Sequence, residues 1–155
     1  MTHTNAAGMY QQAVFVDDTA LKAFMNTEDP HYMKARSLFH ELDDLDRHLV
    51  TTNYIVFDTH QWLKNNYSYS EAHLYLNTID KAVMQNKLTV ISGHSDIERD
   101  SKQLLIDCPQ YEFSLNEALT AVVMVTYQIK RIFTFNRSYS KLPQLFDEIK
   151  VIPSL

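Results

Sequence analysis

The chain has 155 residues, 45% of them apolar, with a formal net charge of -5 and an isoelectric point near 5.7. That length makes one domain, able to bury about 68 to 70% of its unfolded surface without staples, and the acidic balance excludes a protein that coats DNA non-specifically. The single cysteine, Cys108, excludes an internal disulfide and fits a reducing compartment.

Residues 1–12 have neither the basic start nor the apolar core of an export signal. No apolar run approaches the ~18 residues of a membrane span. The expectation is a cytoplasmic protein with no membrane association, an N-terminal tail over 1–12 and one domain over 13–155. The apolar run Ala13 to Val16 reads as a buried strand that ends at Asp17 and Asp18, with Thr19 following. In open α/β sheets ligands bind beyond the carboxyl ends of such strands, which marks Asp17; as an alternative, Asp17 caps the next helix. Leu21 to Met25 reads as a helical turn. Asp29-Pro30 opens a helix over about 31–45 with Ala35, Leu38, Phe39 and Leu42 on its apolar stripe.

His48 to Thr52 is β-branched and predicts a second strand, and Thr52 and Asn53 offer caps for a helix over about 54–65. Asp58 falls one turn into that helix, either as an exposed early acid favoured by the helix dipole or as a ligand. Ser70 to Asn86 is amphipathic, with Leu74, Leu76, Ile79, Val83 and Met84 as its expected buried side. Lys87 to Ser92 is a third strand, broken by Gly93. Ser95-Asp96-Ile97-Glu98 has the pattern of a capping box, opening a helix to about Asp107. Ser114-Leu115-Asn116-Glu117 repeats that pattern ahead of an almost wholly apolar helix, where capping alone accounts for Glu117. Arg131 to Phe135 is a fourth strand halted at Asn136, and Ile149 to Ile152 is a fifth.

Strands alternating with helices mean a parallel sheet with right-handed crossovers. A crevice between the ends of the first and fourth strands makes those two neighbours, and the expected order is 3-2-1-4-5. With only Gly8 and Gly93, no glycine-rich phosphate loop can be built, and the histidines are too dispersed for a zinc site. Phosphate chemistry in this chain would fall to acids with a hard cation.

From Ala13 to Ile152, the motifs VFVDDTAL, TTNYIVFDT, FSLNEALTA and IFTFNRSY come in the order seen in PIN-domain nucleases, and the chain resembles that family, including the toxins of toxin–antitoxin pairs. The resemblance implies a PIN-like three-layer α/β/α domain and hydrolysis of RNA phosphodiesters assisted by Mg²⁺ or Mn²⁺. The catalytic positions would be Asp17, Asp58, Glu117 and Asn136. Asp17 and Glu117 would bind the metal directly, Asp58 would hold metal-bound water, and Asn136 would position water or a second ion. Thr19 matches a hydroxyl that supports the first acid. Arg137 and Lys141 would contact phosphate and Tyr139 would stack on a base. Family members usually have Glu, Asp and often Asp where this chain has Asp58, Glu117 and Asn136.

The partners implied are RNA, an antitoxin-like protein and a second copy of the chain. Those three departures support an alternative, a catalytically impaired PIN-like protein that binds RNA or a protein partner. The acid pair after the first strand and Asp58 after an apolar run also fit a response-regulator receiver, although the late strand lysine of that fold is missing.

Overall fold

The structure, a computed structural model, describes residues 10–153. Strands β1 (Val14–Val16), β2 (Leu49–Thr52), β3 (Leu88–Ile91), β4 (Arg131–Phe133) and β5 (Lys150–Ile152) form one parallel sheet in the order β3-β2-β1-β4-β5. The helices are α1 (Asp18–Met25), α2 (Tyr32–Asp44), α3 (Asn53–Asn66), α4 (Tyr69–Met84), α5 (Ser95–Asp107), α6 (Leu115–Thr126) and the short α7 (Leu142–Leu145). A receiver domain is overturned by this topology, because its sheet runs 2-1-3-4-5.

Sheet order and chirality together place the helices. The chain steps from β1 to β2 to β3 in one direction, and right-handed crossovers lay α1 to α4 on one face. It then returns across the sheet to β4 and β5, which places α5 and α6 on the other. The observed packing follows suit, α1 meeting α2 and α3, α3 meeting α4, and α5 meeting α6. Every residue of the central strand β1 is buried, as a strand covered on both faces must be. Phe15, Phe133, Ile55, Leu63, Tyr75 and Met124 are the bulkiest of the almost completely buried side chains, each contributing roughly 1.5 to 3 kcal/mol of apolar burial.

The scarcity of glycine is met by other residues in the left-handed region. Asp46, Asn86 and Gln128 have φ of 55°, 58° and 58° just past α2, α4 and α6. In each case the next amide reaches back five residues: Arg47 to the Leu42 carbonyl, Lys87 to Ala82 and Ile129 to Met124, the Schellman closure of a helix end. These three exits launch β2, β3 and β4. The acids at the end of α2 thus belong to a helix stop.

Several boundaries and faces differ from expectation. The first helix begins at Asp18, not Leu21, because Asp17 caps it. Strand β4 ends at Phe133, two residues early, where the Thr134 hydroxyl takes over the bonding. On α4, Leu74, Val83 and Met84 are exposed, and Ala72, Tyr75 and Ile79 are the buried residues. Residues 1–9 of the expected tail lie outside the described residues, while Tyr10 is buried with its ring edge-on to Tyr127. No helix among the described residues is long and apolar enough to cross a membrane.

Candidate functional site

Asp17 ends the central strand and starts α1, so its position is fixed from both sides. Its backbone N–H donates to the Phe133 carbonyl of β4 at 3.3 Å, and its side chain accepts from Ala20 N at 3.0 Å as the α1 cap. Thr19 Oγ1 donates to the carboxylate at 2.7 Å and Thr134 Oγ1 is bonded to Oδ2. The side chain is wholly buried, and among the described residues no salt bridge reaches it. Burial, then the charge of Asp18, push its pKa up to about 7, outweighing the hydrogen bonds from Thr134, Ala20 and Thr19.

The network continues across the sheet edge. Thr134 Oγ1 accepts from Asn136 N at 2.8 Å, and Thr19 Oγ1 accepts from Phe135 N at 2.9 Å, tying the ends of β1 and β4 together. Asn136 Oδ1 accepts from Ser138 N at 3.0 Å, and its Nδ2 donates to Glu117 Oε2 at 2.8 Å. Glu117 Oε1 accepts from Ser114 N at 2.8 Å, completing the capping box of α6. Asn136 thus caps its turn and Glu117 its helix, and the two meet beside Asp17's network. The local sequence carries no signal for Thr134 beyond its place directly after the last residue of β4.

Asp58 stands apart. It is exposed on α3 and accepts from Asn116 Nδ2 at 3.1 Å, a bond that crosses from one helical layer to the other. Asn116 precedes Glu117, so Asp58 joins the network through a neighbouring residue without touching it. Asn116 has no local signature either, since its role comes from a partner 58 residues away.

The remaining expected positions divide. Arg137 is exposed just past β4, and Lys141 Nζ donates to the Tyr111 carbonyl at 2.9 Å. Tyr139 is 3% exposed, which corrects its expected role as a base-stacking group: the 3-10 turn over Arg137–Lys141 folds the ring into the core. Burial, with the negative charges of Asp17, Glu117 and Asp18 nearby, holds its hydroxyl well above the ordinary tyrosine pKa.

Among the described residues no group of three His, Cys, Asp or Glu side chains is placed to hold one metal ion. The resemblance puts Asp17 and Glu117 on the ion and Asp58 on its bound water, and among the described residues the three carboxylates do not gather into one cluster. The reason is visible in the bonding: Asp17 faces its threonines and the α1 amides, Glu117 faces Ser114 and Asn136, and Asp58 faces Asn116. The oxygen donors do fit a cation that takes one or two carboxylates and completes its shell with water, as Mg²⁺ does. A buried carboxylate without a cationic side chain is the kind of group such an ion neutralises.

A cleft borders Asp58 and Asn116, and Asp17, Glu117 and Asn136 are not among its lining residues. It measures about 300 Å³ and is lined by Tyr54, Asp58, Glu98, Lys102, Leu115, Asn116 and Leu119. A cleft of about 400 Å³ lies between α2 and the β5 edge, around Leu38, Leu42 and Ile152, away from every candidate residue. Contact with Asp58 and Asn116, rather than size, selects the smaller cleft.

The strand order, the three layers and the polar crevice at the carboxyl edge define a PIN-like fold. The crystal structure of the VapC20 toxin of Mycobacterium tuberculosis, described as cleaving the sarcin–ricin loop, superposes with a TM-score of 0.70 over 83% of this chain and 93% of that one. The two are 19% identical, a likeness that establishes the fold. No protein-family sequence profile and no curated protein sequence matches the chain.

Proposed function

We propose that the chain is a ribonuclease that hydrolyses RNA phosphodiesters with Mg²⁺ or Mn²⁺, as a toxin does in a toxin–antitoxin pair. The observation that carries this reading is Asp17: a wholly buried carboxylate at the carboxyl end of the central strand, bonded to hydroxyls and an amide but, among the described residues, to no cationic side chain. Leaving a carboxylate there without a counter-ion is costly, and a divalent ion offsets the cost.

Asp17 and Glu117 would hold the ion, which when bound stabilises charge on the phosphate and lowers the pKa of an attacking water. Thr19 and Thr134 orient Asp17, and Asn136 holds one oxygen of Glu117 in place. Asp58, exposed beside Asn116, orders water at the mouth of the crevice. Arg137 and Lys141 supply positive charge just past β4, where a phosphate backbone can be held without reading sequence. The same reading assigns the chain an antitoxin-like protein partner and pairing with a second copy.

A second reading has its own support. Asn136 already donates to Glu117, and Asn116 to Asp58, so two of three acids are partly satisfied by amides. This favours a PIN-like protein that binds RNA or a protein partner with little catalysis. Incubating the chain with a pool of structured RNAs, a sarcin–ricin stem-loop among them, separates the two. Cleavage that needs Mg²⁺ or Mn²⁺ and disappears in Asp17→Asn supports the nuclease, whereas RNA binding without metal-dependent cleavage supports the second reading.

A further inference from the structure

We infer that the cleft beside Asp58 is a nucleobase pocket that takes a guanine of the RNA, with Glu98 and Lys102 reading its Watson–Crick edge. This rests on the ribonuclease reading for the identity of the polymer, and adds the base it selects.

Glu98 has been released from the role its sequence suggests. Helix α5 is capped at His94 with no side-chain bond, and the expected capping box at Ser95 does not form. The Glu98 carboxylate instead accepts from the Tyr54 hydroxyl, across the cleft on α3. Tyr54 can lie there because Gly93 leaves room: a Cβ at 93 would sit 2.2 Å from the Tyr54 ring. Asn53 Oδ1 accepts from Gly93 N at 2.9 Å and fixes that close approach. One turn beyond Glu98, Lys102 lines the same cleft and forms no ion pair among the described residues. A carboxylate held by a tyrosine and an unpaired ammonium therefore share one wall.

The other walls are the ring of Tyr54, Leu115 and Leu119. Small-molecule pockets begin near about 300 Å³, so this volume suits one planar base. RNA sequence is read mainly from unstacked bases that lie against aromatic and apolar side chains and bond through their edges. Guanine alone presents two adjacent N–H donors, N1 and N2, beside an acceptor, O6. The carboxylate matches the donors and the ammonium matches O6. Adenine and cytosine turn a ring-nitrogen acceptor toward the carboxylate, and uracil has one donor between two acceptors. An arginine from a protein partner would also suit Glu98, but it would bring its charge against Lys102. The polar pair thus favours a neutral base over a cationic side chain. Asn116 lines the pocket and bonds Asp58, which places it one residue from Glu117.

The test is fluorescence anisotropy on the full chain, with EDTA present so that nothing is cleaved, using labelled uridine hexamers carrying one central G, A, C or U. The G hexamer is expected to bind about tenfold more tightly than the other three, within the range of a well-placed pair of base-edge contacts. Glu98→Gln is expected to lower the G hexamer to the affinity of the uridine hexamer, and Lys102→Met, at an exposed position, to weaken the preference in part. Equal affinity for all four hexamers, which is also what a protein-docking cleft gives, overturns the base pocket and leaves metal-dependent cleavage standing. A G preference that survives in both variants overturns the assignment to Glu98 and Lys102. Failure to bind any hexamer removes the pocket and the RNA reading together.

Discussion

Asp17 and Asp58 are both acids of the candidate site, and the fold treats them oppositely. Asp17 is wholly buried, held by two hydroxyls and a backbone amide, and its pKa rises to about 7. Asp58 is exposed and meets one side chain, Asn116. A buried charge without a counter-ion costs stability that the rest of the fold must supply, whereas an exposed acid costs almost nothing. The contrast predicts where substitution will be felt: at Asp17 in stability, pH response and chemistry together, at Asp58 in chemistry alone.

The largest effect is expected from Asp17→Asn. The native pKa of Asp17 lies above its unfolded value of about 4, so between the two the folded state keeps a proton that the unfolded state releases. Without metal, wild-type stability should therefore fall as pH rises from about 4 toward 7 and level off above it. Asparagine caps as well as aspartate and cannot ionise. Asp17→Asn should remove this slope and raise metal-free stability at pH 8 by on the order of 1 to 3 kcal/mol. It should also reduce cleavage by at least about 10²-fold. Melts at pH 5 and pH 8 in EDTA, beside cleavage at matched metal, measure all three; a pH slope that persists in the mutant removes Asp17 as its source.

Asn136→Asp sharpens the comparison by making a second costly acid. The amide now donates to Glu117 while its oxygen caps the turn at Ser138. Aspartate keeps the cap but sets two carboxylates against each other, so metal-free stability should drop by about 1 to 2 kcal/mol. Mg²⁺ or Mn²⁺ should restore it, because the altered pair gains most from a cation. Calorimetry and melts with and without metal decide the point. Equal metal affinity in the two proteins would leave Asn136 as a cap and nothing more.

Much of the architecture could be read from residues before the structure, and the failures have physical causes. The pairing of β1 with β4 is legible in the apolar runs that end at Asp17 and near Asn136, since a crevice there needs those two strands adjacent. On α4 bulk does not decide burial: Ala72, Tyr75 and Ile79 make the tighter 3 and 4 spacing, and the small Ala72 permits close packing while Leu74 faces solvent. The two capping boxes show the limit of a local pattern. Ser114 and Glu117 form theirs, but at Ser95 the helix starts one residue early and Glu98 finds Tyr54, 44 residues away in sequence. Thr134 and Asn116 act through partners distant in the chain, and Tyr139 is turned inward by a short helix, so none of the three roles has a local signature.

The smallest structural effect is expected at Asp58, where the comparison is easiest to break. Asp58→Ala removes an exposed side chain with one bond, so stability should change by no more than about 0.5 kcal/mol. Metal affinity should hardly move, because the ion is assigned to Asp17 and Glu117. Cleavage should still fall, by about tenfold or more, if Asp58 orders the water that attacks. Asn116→Ala then separates position from charge. It leaves the carboxylate in place but unanchored, and should cost less activity than Asp58→Ala. Single-turnover rates and melting curves for the two variants give the answer. A loss of stability above about 1 kcal/mol in Asp58→Ala would mean that the bond between the two helical layers supports the fold. Equal rates for wild type and Asp58→Ala would confine the chemistry to the buried side of the crevice, around Asp17.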